Sequence, residues 1–251
     1  MSFADWEPHE VEEVHKGLLL LGWRADNRLT SDDALLVRDL AHEALAHLAK
    51  GTLSPNTIDD LAERAFDVMS FQLMNVDERA AMTSGPYKES TLLEPLVPLV
   101  DEAILCYYRG YYTAALATLF IISEQYLRKL AGWQPGMPDP TFAELRASVR
   151  AHPESGSRDE AEMILAAIYS RYDAQLPPQF FFNRHGLLHG LRGPKDVDRM
   201  NCVRMFLFFD VLCSAEGLGR GLTYSEEFYQ RHTAYRSCIR LGKEKQLMFR
   251  N

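Results

Sequence analysis

The sequence predicts an all-α protein, an up-and-down helical bundle with additional N-terminal helices. Three observations carry that expectation. Apolar residues recur at three- and four-residue intervals through most of the 251-residue chain. No segment sustains the period-two alternation of a half-buried strand. The connections between periodic segments are short and rich in Gly, Pro and Ser, which favours antiparallel neighbours.

The elements follow in order. Ser31-Asp32-Asp33 combines a cap with first-turn acids. It opens a helix whose Leu35, Leu36, Leu40, Ala44 and Leu48 suit one apolar face, ended by Gly51. Ser54-Pro55 starts another, with Ile58, Leu61, Ala65 and Met69 at helical spacing. Thr83-Ser84-Gly85-Pro86 breaks the chain, and a soft boundary near residue 88 divides a region 1–88 of unassigned role from a region 89–251. There Leu92 to Tyr108 forms one arm of a helical hairpin and Gly110 marks its bend. Leu116, Leu119, Ile122, Tyr126 and Leu130 line the second arm, ended by Gly132-Trp133-Gln134-Pro135-Gly136. A helix over about Asp159 to Tyr172 stops at Leu176-Pro177-Pro178. The last strong helix is entered at Pro194-Lys195-Asp196, carries Cys202, Met205, Phe206, Phe209, Leu212 and Cys213, and is closed by Gly217. A final amphipathic piece spans about Ser225 to Leu241.

Composition narrows the function classes. A chain of this length buries roughly three-quarters of its unfolded surface, so it needs neither disulfides nor metal to fold. The longest apolar runs, near Leu18–Trp23 and Ala114–Ile122, fall short of a membrane span. The acidic start, Met1 to Glu7, lacks a secretory pattern. Cys106, Cys202, Cys213 and Cys238 form no CxxC pair, so the expected setting is a reducing cytoplasm, with no membrane association. The net charge of −8 argues against broad gripping of nucleic acid. The charge is uneven, however: residues 1–100 hold 18 acids and 8 bases, residues 101–251 hold 17 acids and 19 bases. An anionic substrate is therefore expected at the C-terminal part, unless the asymmetry only reflects solvated faces.

Several motifs fail on inspection. His42-Glu43-Ala44-Leu45-Ala46-His47 places its histidines five apart, whereas a zincin helix needs four to present both on one face. Gly217-Leu218-Gly219-Arg220-Gly221 follows a helix rather than a strand and reads as a terminator, not a dinucleotide loop. No Walker loop and no GxSxG elbow is present.

One motif survives: Asn183-Arg184-His185-Gly186-Leu187-Leu188-His189-Gly190, ahead of a long apolar helix. Upstream stand Tyr107-Tyr108-Arg109-Gly110-Tyr111-Tyr112-Thr113-Ala114-Ala115 and Phe120-Ile121-Ile122-Ser123-Glu124. Together these resemble the Arg-x4-His signature and helix pair of the HEPN family, over roughly residues 90–240. The resemblance implies a HEPN-like bundle over 89–251 with a basic C-terminal helix or tail. It also implies a metal-independent endoribonuclease without cofactors, in which two protomers face their motifs across a two-fold axis. A toxin or antiviral defence effector, with RNA as substrate and an antitoxin or regulatory protein as counterpart, is the expected setting.

The residue types suit that chemistry. Attack of a 2′-hydroxyl on the adjacent phosphorus needs a proton acceptor, a proton donor and a cation for the developing charge. His189, assisted or oriented by His185, titrates near neutrality and serves a proton step. Arg184 is permanently charged and holds phosphate oxygens in a planar fork. Asn183 and Glu124 support the site, while Arg192, Lys195, Arg199 and Arg204 are candidates for RNA phosphates, as are the bases beyond Arg231. Each assignment has a plain structural counterpart. His189 as a backbone-bonded histidine, Arg184 paired with an acid such as Glu124, His185 as a solvated neighbour, Asn183 as a helix cap and the bases as a solvated face all stay open. So does Phe180-Phe181-Phe182, as core or as a stacking platform. Rival functions are a non-catalytic HEPN-like module binding nucleotide, RNA or a protein partner, and a purely structural helical adaptor.

Overall fold

Several helices begin where the sequence supplies a cap. The computed structural model describes residues 6–23, 31–151, 165, 169, 199–215 and 224–248. Helix α1 (Pro8–Leu20) has proline in its first turn and a capping box in which Glu7 N–H donates to Glu10 Oε2 at 3.1 Å. Helix α2 (Ser31–Ala49) carries Asp32 and Asp33 in its first turn. Helix α3 (Pro55–Leu73) is capped by Ser54, whose Oγ accepts from Thr57 N–H at 3.2 Å. Asn75 caps α4 (Val76–Ser84), its Oδ1 accepting from Asp77 N–H at 2.8 Å. The one-turn α5 (Pro86–Glu89) and a 3-10 turn (Glu94–Leu96) lead into α6 (Val97–Tyr108) and α7 (Tyr112–Leu130). Then come α8 (Phe142–Ala151), α9 (Arg199–Ala215) and α10 (Glu226–Met248).

The result is an all-α bundle, and no β-strand occurs among the described residues. No helix among them is long and apolar enough to cross a membrane. Helix α9 is central. Every residue from Asn201 to Cys213 is buried, so this helix is apolar nearly all round rather than one-sided. It packs on α7 and α3, while α10 lies on α4 and α6, α1 on α2, and α8 on α7. One hydrophobic cluster takes in buried residues from Trp6 to Tyr235 and so crosses position 88. Region 1–88 supplies α1 to α4 to that cluster.

The α6–α7 hairpin turns at Gly110 (φ 78°), a left-handed conformation that L side chains rarely adopt. Leu116, Leu119, Ile122 and Tyr126 face inward as their spacing predicts. Four expectations need correction. First, the inward face of α2 is Ala34, Val37, Leu40, Ala41 and Ala44, while Leu36 and Leu48 are exposed. The reason is Gly17, which brings α1 against the α2 backbone at Ala41, so small residues win the buried face. Second, α4 was not expected: α3 ends at Leu73, and the Asn75 side chain caps a separate helix ahead of the break. Third, α8 was not expected. Its cap is Thr141, whose N–H donates to Glu144 Oε2 at 2.6 Å while Glu144 N–H donates to Thr141 Oγ1 at 3.3 Å. Fourth, α10 continues past Leu241 to Met248. The helix expected over 159–172 lies outside the described residues except for the buried Leu165 and half-buried Tyr169, as do the stops at 176–178 and 217 and the helix start at 194–196.

Candidate functional site

The octapeptide ends nine residues before α9 begins. Asn183, Arg184, His185 and His189 lie outside the described residues, as do Arg192 and Lys195. Of the sequence-predicted site residues, Glu124 on α7, Arg199 and Arg204 on α9 lie among the described residues. Glu124 accepts from Arg128 Nη2 at 3.0 Å, a one-turn pair at the edge of the core.

Arg199 opens α9 beside a cleft of about 400 Å³ between α3 and α9, lined by Asp60, Glu63, Arg64, Phe66, Asp67 and Met200. Three forces hold its guanidinium there. Its Nε donates to the Tyr107 hydroxyl at 2.8 Å. Its charge stands 5.2 Å from the Phe66 ring centroid and 5.9 Å from that of Tyr107, within cation–π range. Burial pulls the Arg199 pKa down, but the Tyr107 hydrogen bond, the nearby hydroxyls and Asp67 outweigh it, so the net shift is upward. Burial also pushes the Tyr107 phenol up to about 12, against the opposing pull of Arg199. Tyr107 is wedged edge-on to Phe206 at 6.2 Å and tilted against Tyr112 at 5.5 Å. Its charge and its place after the Arg-His motif pointed to Arg199, but nothing in the sequence pointed to Phe66, Asp67 or Tyr107 as its partners. The legible signal was the spacing of Asp60, Glu63 and Asp67 by three and four along α3, which puts three carboxylates on one helix face.

Arg204, read from the sequence as a phosphate ligand, is a core residue at 2% exposure. Its Nη2 donates to the Leu21 carbonyl at 2.8 Å, its Nη1 to Asn201 Oδ1 at 3.3 Å, and its guanidinium lies 4.7 Å from the Trp23 ring. A carbonyl at the C-terminal end of α1 lacks an intrahelical donor and carries the negative pole of the helix, which explains the attraction. Gly22 follows with φ 72° and would bring a Cβ within 3.2 Å of that guanidinium.

A second polar cluster holds helices together. Arg79 on α4 and Asp210 on α9 form a buried bidentate pair, at 3.1 Å and 2.6 Å, and Tyr87 donates to Asp210 Oδ1 at 2.6 Å. Around α10, Tyr235 donates to Asp101, Arg231 Nε donates to the two Asp101 oxygens at 3.2 Å and 3.1 Å, and Glu227 bridges Arg231 and Lys88 at 2.6 Å and 2.5 Å. Burial keeps the Tyr87 and Tyr235 phenols well above the ordinary tyrosine range. His42 and His47 go separate ways: His42 Nε2 sits 4.0 Å from Glu13, and His47 Nδ1 hydrogen-bonds Thr52 Oγ1 at 2.9 Å.

No protein-family model, curated protein or solved structure matches the chain.

Proposed function

We propose that the chain is a metal-independent endoribonuclease of the HEPN type. The observation that carries the reading is the octapeptide Asn183 to Gly190 in an all-α chain, ahead of the apolar helix α9 in sequence. The free thiols of Cys106, Cys202, Cys213 and Cys238 are in keeping with a reducing compartment such as the cytoplasm.

In this reading one His189 imidazole accepts the proton of the RNA 2′-hydroxyl as that oxygen attacks the adjacent phosphorus. The bond from phosphorus to the 5′-oxygen breaks, and a protonated imidazole donates to the leaving oxygen. The products are a 2′,3′-cyclic phosphate and a 5′-hydroxyl. Arg184 holds the extra phosphorane charge, His185 orients or assists, and Asn183 caps the following turn. One helix cannot surround a phosphate with these groups, so a homodimer completes the site with a second copy of the motif. A toxin or antiviral effector restrained by an antitoxin or regulatory protein fits such an activity.

The test is incubation of the pure protein with mixed RNA. Fragments with cyclic phosphate ends are expected, formed equally in EDTA. Arg184→Ala and His189→Ala should each cut the rate by about 10²–10⁴-fold while the dimer stays folded. Wild-type rates in both variants would remove the site assignment, and full activity of a dilute monomer would remove the composite site.

A non-catalytic HEPN-like module that binds nucleotide, RNA or a protein partner is the second reading. The observation favouring its protein-binding form is the acidic cleft at Arg199, where Asp60, Glu63 and Asp67 disfavour a phosphate and suit a basic partner segment. Binding of RNA or nucleotide without fragments would select it.

A further inference from the structure

We propose that the outer face of α10 is a track for single-stranded RNA, an inference that rests on the ribonuclease reading above. Tyr229, Thr233, Arg236, Arg240 and Lys243 follow at alternating intervals of four and three, so they form one stripe along the helix. It is turned away from the face that buries Phe228, Tyr235 and Cys238 against the bundle. All five are exposed. Among the described residues no carboxylate pairs with Arg236 or Lys243, and Glu244 approaches Arg240 only to 4.0 Å. Arg231, by contrast, is tied to Asp101 and Glu227 and belongs to the packing face.

The aromatic end of the stripe is braced. Tyr229 is 55% exposed and stands edge-on to Phe228 at 5.2 Å, and the exposed Tyr224 braces the same ring at 4.9 Å. A rise of 1.5 Å per residue separates successive cations by about 4.5–6 Å along the axis and sets Tyr229 about 21 Å from Lys243. A single-stranded backbone can follow such a file, with arginine forks on its phosphates and a base on the Tyr229 ring.

The chemistry favours RNA over two other anionic partners. A membrane surface requires a continuous apolar face, and this stripe carries no aliphatic side chain. An acidic protein would use the cations but leave the braced tyrosines without a role. Because the whole chain carries −8, attraction has to be local, so its salt dependence reports directly on these residues.

The experiment measures binding of a labelled 2′-O-methyl oligouridylate, which lacks the attacking hydroxyl, to the full chain across a salt series. The variant Arg236→Gln/Arg240→Gln/Lys243→Gln should lower the slope of log K against log salt by about 2, at about 0.7 per phosphate. Tyr229→Ala should weaken binding about tenfold without changing that slope. Arg236→Lys/Arg240→Lys, which keeps the charges, should retain the slope. An unchanged slope in the triple glutamine variant overturns the track. So does equal loss of binding to polyglutamate or to anionic vesicles alongside weak binding of the oligonucleotide. All the substituted side chains are exposed, and circular dichroism verifies folding. A wild-type chain that binds through this stripe but cleaves nothing supports the track and refutes only the nuclease reading.

Discussion

Gly17→Ala sets two effects of opposite sign against each other. Alanine is the better helix former by about 1 kcal/mol, and it restricts the unfolded chain as well, so an exposed Gly17 in mid-helix would gain stability on substitution. The structure predicts the reverse. A Cβ at Gly17 would stand 2.3 Å from the Ala41 carbonyl oxygen, 2.6 Å from its carbon and 2.7 Å from its Cα. All three are backbone atoms, so no rotamer change relieves the contact. Reaching an ordinary separation requires α1 to move from α2 by about 1 Å, and a gap of that size forfeits a quarter to a half of each van der Waals contact it opens. Val14, Leu18, Val37 and Leu40 are all buried in this region. With overpacking of about 1–3 kcal/mol added to the lost contacts, the net expectation is a loss of about 2–4 kcal/mol after the propensity gain. For a chain of this size that lowers Tm by about 4–16 °C. Thermal unfolding followed by far-ultraviolet circular dichroism is the assay. A Tm equal to or above that of the wild type would refute the close approach of α1 and α2.

Two further perturbations probe the interior. Asp210→Ala removes the carboxylate that accepts two bonds from Arg79 and one from Tyr87 at a site no more than 4% exposed. The expected loss is about 3–5 kcal/mol, read from the urea midpoint; a loss below about 1 kcal/mol would contradict a buried pair. Alkaline titration probes the phenols. Burial pushes Tyr107 up to about 12 and holds Tyr87, Tyr108 and Tyr235 above the ordinary value. A raised folded pKa favours the neutral phenol in the folded state, while the unfolded chain ionises near 10. Stability should therefore be flat below about pH 10 and fall above it by about 1.4 kcal/mol per pH unit for each such tyrosine. Urea midpoints at several alkaline values test this, and constant stability between about pH 9 and pH 11 would exclude buried phenols.

The all-α class was legible because helix spacing, caps and breakers are local. Ser54 before Pro55, Gly110 at the hairpin bend, and the inward run of Leu116, Leu119, Ile122 and Tyr126 each follow from a few neighbouring residues. The helix start at Asn75 and the helix at Phe142–Ala151 were equally local, and Asn75 and Thr141 were the signals that periodicity alone passes over.

The sequence by itself determined where helices form and which octapeptide carries an arginine and a histidine at the HEPN-like spacing. Which cations meet solvent was decided by tertiary structure. Arg199, Arg204 and Arg231 look alike as charged letters near apolar neighbours. The fold sets Arg204 on the α1 carbonyl end, Arg231 on Asp101, and Arg199 at the edge of a cleft, while Arg236 and Arg240 are left facing water. Local pattern reports the face of a helix, but the burial of a charge depends on partners that are distant in sequence, and only packing brings those within reach.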